Sequence, residues 1–98
     1  VKDIVLDPGI GFAKTLDQNF SLLNNLEHFQ ILEKALLLGV SRKSLVWKTL
    51  QVTPDEALNG STALHTWALS KGVSILRVHD VKEACEVVKL FVKMKQAV

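Results

Sequence analysis

The feature that limits the fold most is an alternation repeated three times: a short apolar run, then a stretch with helical periodicity. The first run, Ile4-Val5-Leu6, is closed by Asp7-Pro8-Gly9, a strand-ending turn. Beyond a Gly-containing loop, Leu16, Phe20, Leu23 and Leu26 recur at spacings of 3 and 4, which predicts an amphipathic helix from Thr15 to about Phe29. The second run, Ala35 to Val40, is apolar apart from Gly39 and reads as a strand buried on both faces, the habit of parallel sheets. A short helix from Leu45 to Leu50 follows. Thr53, Pro54 and Glu56 then supply an N-cap, an N1 proline and an N3 acid ahead of a main helix expected over Ser61 to Lys71, with Gly72 as its stop. The third run, Ser74 to His79, leads into a helix whose apolar stripe is Ala84, Val87, Val88, Phe91 and Val92, with Asp80 and Glu83 resembling a capping box. Strand alternating with helix in this way argues α/β architecture with a parallel sheet.

The composition suits a packed domain. Apolar residues make up 48% of the 98 residues and charged ones 22%, enough to build a core and too ordered a mixture for a disordered chain. Twelve Lys and Arg against ten Asp and Glu give a scattered net charge of +2, which singles out neither nucleic acid nor an anionic membrane as partner. The single cysteine, Cys85, excludes an internal disulfide and a multi-cysteine zinc site. No apolar run approaches the ~20 residues of a membrane span, so the expectation is a soluble, cytoplasmic protein. The chain opens at Val1, without methionine, directly before a core-like strand. It is therefore expected to be a piece of something longer. Three parallel strands alone would leave two open edges, to be covered by a parent chain, a second chain, or both.

In parallel α/β folds, ligands bind beyond the carboxyl ends of the strands. Those ends carry Asp7 after the first run, Ser41-Arg42-Lys43 after the second, and Arg77 with His79 at the third. Side chains alternate along a strand, so Arg77 and His79 share one face while Leu76 and Val78 take the other. Each residue has a plainer reading: Asp7 capping its own turn, Arg42 and Lys43 a solvated loop pair, His79 a structural imidazole. An arginine within a strand is harder to dismiss, because burying its charge without a partner is costly. Taken together, the three strand ends favour an anionic, hydrogen-bonding ligand. Elsewhere, His65 reads as a packing or surface residue, His28 as a cation near a helix end, Cys85 as a buried structural thiol, and Trp47 and Trp67 as core or interface aromatics. The three histidines lie too far apart in sequence to suggest a zinc site.

Four segments carry a more specific signal. Asp7-Pro8-Gly9-Ile10-Gly11-Phe12-Ala13-Lys14 followed by Asn19, Gly39-Val40-Ser41-Arg42-Lys43-Ser44, Gly60-Ser61, and Arg77-Val78-His79-Asp80-Val81 stand in the order and spacing of the motifs of dihydropteroate synthases. The chain resembles that family from end to end, with Ile10 and Ala13 at variable positions. The resemblance covers only the last three βα units of a (β/α)8 barrel, a fold of about 250 residues. It thus implies that residues 1–98 form the C-terminal portion of a TIM barrel, a partial pterin-binding domain whose first five units lie outside this sequence.

Such enzymes join 4-aminobenzoate to 6-hydroxymethyl-7,8-dihydropterin pyrophosphate, releasing pyrophosphate and forming 7,8-dihydropteroate for folate synthesis; sulfonamides compete with the aminobenzoate. By resemblance, Asp7 hydrogen-bonds the amino-pyrimidine edge of the pterin and Lys43 reaches the pterin while bordering the aminobenzoate. Phe12 and Ser44 line the aminobenzoate pocket, and Arg42 packs along the pterin at its rim. Gly39 belongs to the substrate site, Arg77 stacks on the pterin, and Arg77 with His79 holds the pyrophosphate. Lys43, Arg77 and His79 are the expected catalytic residues. Mg²⁺ is expected to accompany the pyrophosphate, with its protein ligand outside this segment. No nucleophile–base pair is evident, in keeping with direct displacement. The resemblance also implies a homodimer through the last helices and little or no synthase activity for the 98 residues alone. Two alternatives remain: a pterin-dependent methyltransferase barrel, which would need no pyrophosphate pocket, and a non-catalytic assembly fragment.

Overall fold

The computed structural model describes residues 4–11 and 14–97. Its strands are β1 (Val5–Leu6), β2 (Ala35–Leu38) and β3 (Ile75–Leu76), and its α-helices are α1 (Leu16–Asn24), α2 (Ser44–Leu50), α3 (Leu58–Ser70) and α4 (Val81–Gln96). The strands form one parallel sheet in the order β1-β2-β3. Val5 and Leu6 lie opposite Ala35 and Leu36, and Leu37 and Leu38 opposite Ile75 and Leu76. Parallel neighbours require a crossover, and the helices supply it.

β2 sits at the centre and anchors the core. Leu36, Leu38 and Val40 are fully buried, together with Ile10, Leu26 and Leu45 from the flanking segments. Ala35 and Leu37, on the other face of the strand, are half-buried. Leu76 packs against the same core, as its alternation with Arg77 requires. Arg77 and His79 are exposed and Val78 half-buried, so the two polar residues turn away from the helices as expected.

The first helix is well capped. Thr15 accepts from the backbone N–H of Gln18 at 3.1 Å, and the Gln18 side chain accepts from the Thr15 N–H at 2.9 Å. It ends at Asn24, short of the expected Phe29. The Asn25 side-chain amide donates to the Ser21 carbonyl at 2.7 Å, and its N–H turns back to Leu22. A side chain that captures a helix carbonyl competes with continued helix, and the chain proceeds as a 3₁₀ segment, Leu26–Leu32. Leu26 still reaches the core.

Two further expectations shift. The Thr53/Glu56 capping box forms, but it closes a 3₁₀ turn, Pro54–Glu56, and α3 begins afterwards at Leu58. The third strand is shorter than Ser74–His79. Its ladder closes with the Arg77 N–H donating to the Leu38 carbonyl at 2.9 Å. The His79 N–H then donates to the Ser41 hydroxyl at 3.2 Å, so a side chain takes over from the backbone. Gly72 ends its helix at φ +97°, the left-handed conformation its position demands.

Candidate functional site at the strand ends

The sheet brings the tips of β1, β2 and β3 side by side, and with them the charged residues that follow each strand. An Asp7 carboxylate oxygen stands 3.7 Å from an Arg77 guanidinium nitrogen, across the width of the sheet. The other oxygen accepts the Gly9 N–H at 2.9 Å, so Asp7 both caps its turn and faces the cation. Both partners are well exposed, and an exposed pair contributes little to stability. Their distance is also longer than a hydrogen bond, which leaves their polar atoms available to a ligand.

Gly39 explains how the arginine crosses β2. A Cβ built on Gly39 would lie 2.7 Å from Arg77 Nη2 and 2.9 Å from Nε. The guanidinium therefore rests on the bare backbone at the end of the central strand, and only glycine leaves that space.

Lys43 enters from the β2–α2 connection. Its ammonium donates to the Ile10 carbonyl, and its stem passes Gly11, where an added Cβ would meet Lys43 Cδ at 3.2 Å. Asn19, buried in α1, accepts the Gly11 N–H at 2.9 Å and fixes the same loop. Lys14 donates to the Gly9 carbonyl at 2.9 Å. Burial lowers the Lys43 pKa below the ordinary lysine value, the positive charge of Arg77 pushes the same way, and Asp7 opposes both. Lys43, Asp7 and Arg77 thus form one electrostatic group.

Arg42 lies in a different cluster. Its Nε and Nη2 donate to the two carboxylate oxygens of Asp80, each at 2.9 Å, a bidentate pairing. Nη1 reaches the carbonyls of Pro54 and Asp55 at 3.4 and 3.5 Å. The Arg42 backbone is left-handed at φ +54°, and its N–H donates to the Ser61 hydroxyl at 2.9 Å. Asp80 accordingly does not cap α4 with its side chain, as the sequence suggested. A charge-assisted double hydrogen bond outweighs a single cap bond. The pairing holds the Asp80 carboxyl below the usual range and raises Arg42. The sequence placed Arg42 at a strand end and offered Asp80 only as a helix cap; a basic residue and an acid 38 positions apart give no local signal of their pairing.

Of the remaining expected residues, the half-buried Ser44 opens α2, next to Lys43 in the chain. His79 meets Ser41, with Nδ1 3.1 Å from the hydroxyl oxygen. Phe12 lies outside the described residues. Cys85, expected to be buried, is exposed on α4. Trp67 is partly exposed at 39% but anchors its indole N–H on the Leu23 carbonyl at 2.8 Å. Among the described residues, no group of three or more His, Cys, Asp or Glu gathers to hold a metal ion.

His65 is packed inside α3 at 4% exposure, with Nε2 lacking a partner among the described residues. Burial lowers its pKa from the ordinary 6.5, and the Asp80 carboxylate opposes that only in part. The folded state then binds its proton at lower pH than the unfolded state does. Its contribution to stability is full above about pH 6.5 and is lost as the pH falls through the folded pKa. Urea midpoints should fall between pH 7.5 and 5.5, and His65→Leu should flatten that fall. An equal fall in the variant would refute the assignment.

The comparisons with known proteins agree with this fold. The family model described as pterin binding enzyme matches residues 1–79. The dihydropteroate synthase of Escherichia coli K12 is 46% identical over 87 residues, 89% of this chain and 31% of that enzyme. A crystal structure of the Yersinia pestis enzyme superposes at TM-score 0.95 with 41% identity, covering 98% of this chain and 45% of that one. The Thermus thermophilus enzyme, in complex with 6HMPPP, superposes at 0.88 with 39% identity over 93% of this chain and 37% of that one. The chain thus spans about a third of the length of its curated relatives, and its three βα units are part of a TIM barrel. Motif order, sheet topology and family match converge, and the chain belongs to the pterin binding enzyme family.

Proposed function

We propose that this chain supplies the last three βα units of a dihydropteroate synthase, which condenses 6-hydroxymethyl-7,8-dihydropterin pyrophosphate with 4-aminobenzoate. The observation that carries the reading is the meeting of Asp7 and Arg77 at 3.7 Å beside Lys43. A carboxylate suits the donor edge of an aminopyrimidine, and two cations suit a pterin bearing a diphosphate.

The chemistry follows from that placement. Cleavage of the C–O bond to pyrophosphate puts negative charge on the leaving oxygens and positive charge on the pterin methylene. Arg77 and His79 stabilise the departing anion, as preorganised charge does best in a fixed site. Asp7 holds the heterocycle in register and favours its developing positive charge. The aminobenzoate nitrogen then attacks the methylene and loses one of its protons to solvent, with Lys43 and Ser44 at its pocket and Arg42, braced on Asp80, shaping the rim. When bound, magnesium would neutralise the diphosphate. The described residues offer it no ligand set of their own: Asp7 faces Arg77 and Asp80 is held by Arg42. The contribution assigned to this chain is made by Asp7, Arg42, Lys43, Ser44, Arg77 and His79.

Among the described residues, no helix is long and apolar enough to cross a membrane. A cytoplasmic location belongs to the same reading, as the place of folate synthesis. Exposed Val88, Leu90, Val92 and Met94 on α4 support pairing of two copies through the last helix.

The test is a chimera in which this chain replaces the matching segment of the Escherichia coli relative. Turnover with pyrophosphate release supports the reading, and methyl transfer without it would favour the methyltransferase alternative. In the chimera, Lys43→Ala should lower kcat/KM for the pterin substrate and for 4-aminobenzoate together, each by about 10²-fold, the scale of losing one charged group in a preorganised site. Normal values for both substrates would sink the role of Lys43. The 98 residues alone are expected to turn over neither substrate.

A further inference from the structure

We propose that Ser41 is a positioning residue that locks His79 in the Nε2–H tautomer, so that its imidazole presents a fixed donor to the anionic leaving group. The inference rests on the reading of His79 given above, but the tautomer is argued from the hydrogen bonds alone. Ser41 follows β2 and is only 4% exposed. Its hydroxyl has one hydrogen to donate and two lone pairs. The His79 backbone N–H, at 3.2 Å, takes one lone pair. His79 Nδ1 stands 3.1 Å from the same oxygen. Among the described residues, Ser41 Oγ has no further polar partner.

Two proton arrangements are then open. If Nδ1 carried the proton, both hydrogens would point at Ser41 Oγ, and the hydroxyl hydrogen would be stranded in a buried site. A buried donor without an acceptor keeps its full desolvation cost and is disfavoured. If Nδ1 is unprotonated, the hydroxyl donates to it and every polar atom is satisfied. The ring proton must then sit on Nε2, on the far side of the ring from Ser41. His79 is itself an exposed residue, and Nδ1 is the ring nitrogen turned to Ser41, which leaves Nε2 for a ligand. The same serine grips the His79 main chain and its ring, which fixes the direction of the donor as well as its identity.

The test uses the chimera with ¹⁵N-labelled histidine, and inorganic pyrophosphate as the probe. At a pH where His79 is neutral, its Nδ1 should give an unprotonated, hydrogen-bond-accepting signal and its Nε2 a protonated one. In Ser41→Ala, the Nδ1 signal should move toward that of a free acceptor and an Nδ1–H population should appear. Pyrophosphate affinity should fall about three- to ten-fold, the worth of one hydrogen bond, and the loss should shrink below about two-fold in a His79→Ala background. A proton on Nδ1 in the parent overturns the inference. So does an Nδ1 signal indifferent to Ser41→Ala, or an equal loss of affinity in both backgrounds. If Ser41→Ala does not fold, the parent spectrum alone decides. A parent with the expected tautomer but no affinity for pyrophosphate would overturn the functional reading and leave the Ser41–His79 arrangement standing.

Discussion

Gly39→Ala should leave the chimera folded and cost about 10²-fold or more in kcat/KM for the pterin substrate. The added methyl would need the space that Arg77 Nη2 and Nε occupy, 2.7 and 2.9 Å from the new carbon. One of the two must move. The Gly39 backbone is not left-handed and sits buried at the end of the central strand, so alanine can adopt its conformation there. The guanidinium is the free end of a long side chain and gives way instead. It then leaves both Asp7 and the place where diphosphate charge would develop, where a preorganised donor is worth roughly 10²–10³-fold in rate. Urea midpoints should change little, since the Asp7–Arg77 pair is exposed and weak. Arg77→Ala should cost as much, and the double variant little more, because both changes remove the same group. A kcat/KM within two-fold of the parent would refute this account of Gly39.

Leu38→Ala should have the largest effect on stability. Leu38 is fully buried in β2, lies opposite Leu76, and faces the layer of helices. Truncating such a leucine removes its transfer energy and leaves a cavity that rigid neighbours fill only in part, a loss of about 2–5 kcal/mol. Typical domains are stable by roughly 5–15 kcal/mol, so this is a major fraction. The expected signature is a lower urea midpoint with an unchanged slope. Leu38→Met, which nearly conserves volume, should cost less than about 1.5 kcal/mol. A loss under about 1 kcal/mol for Leu38→Ala would mean that the core is not centred on β2.

The two expectations differ because the two faces of β2 differ. Leu36, Leu38 and Val40 face the helices and set stability. Ala35, Leu37 and Gly39 share the other face, and the Arg77 guanidinium rests on Gly39. A period of two along one strand thus separates substitutions expected to destabilise the protein from those expected to displace Arg77.

Much of this was legible in the residues. The apolar runs located the three strands, and the 3–4 spacings located the helices, because burial imposes periodicity on any chain that packs. The strand ends named Asp7, Lys43, Arg77 and His79 as neighbours, since a parallel sheet brings its carboxyl ends together. The first helix was legible but its end at Asn24 was not, because an asparagine amide turns back on the Ser21 carbonyl while the apolar stripe continues beyond it. The role of Asp80 was missed for the opposite reason. Its sequence neighbours favoured a cap, but its partner, Arg42, belongs to another unit.

Sequence by itself determined the alternation of strand and helix, the parallel sheet and the residues delivered to its carboxyl edge, because those follow from local periodicity and chain direction. Only the tertiary structure decided which charges face each other. Arg42 closes on Asp80, Arg77 lies over Gly39 toward Asp7, and Ser41 holds His79. Those pairings depend on distances between side chains far apart along the chain, and such distances are set by packing, not by pattern.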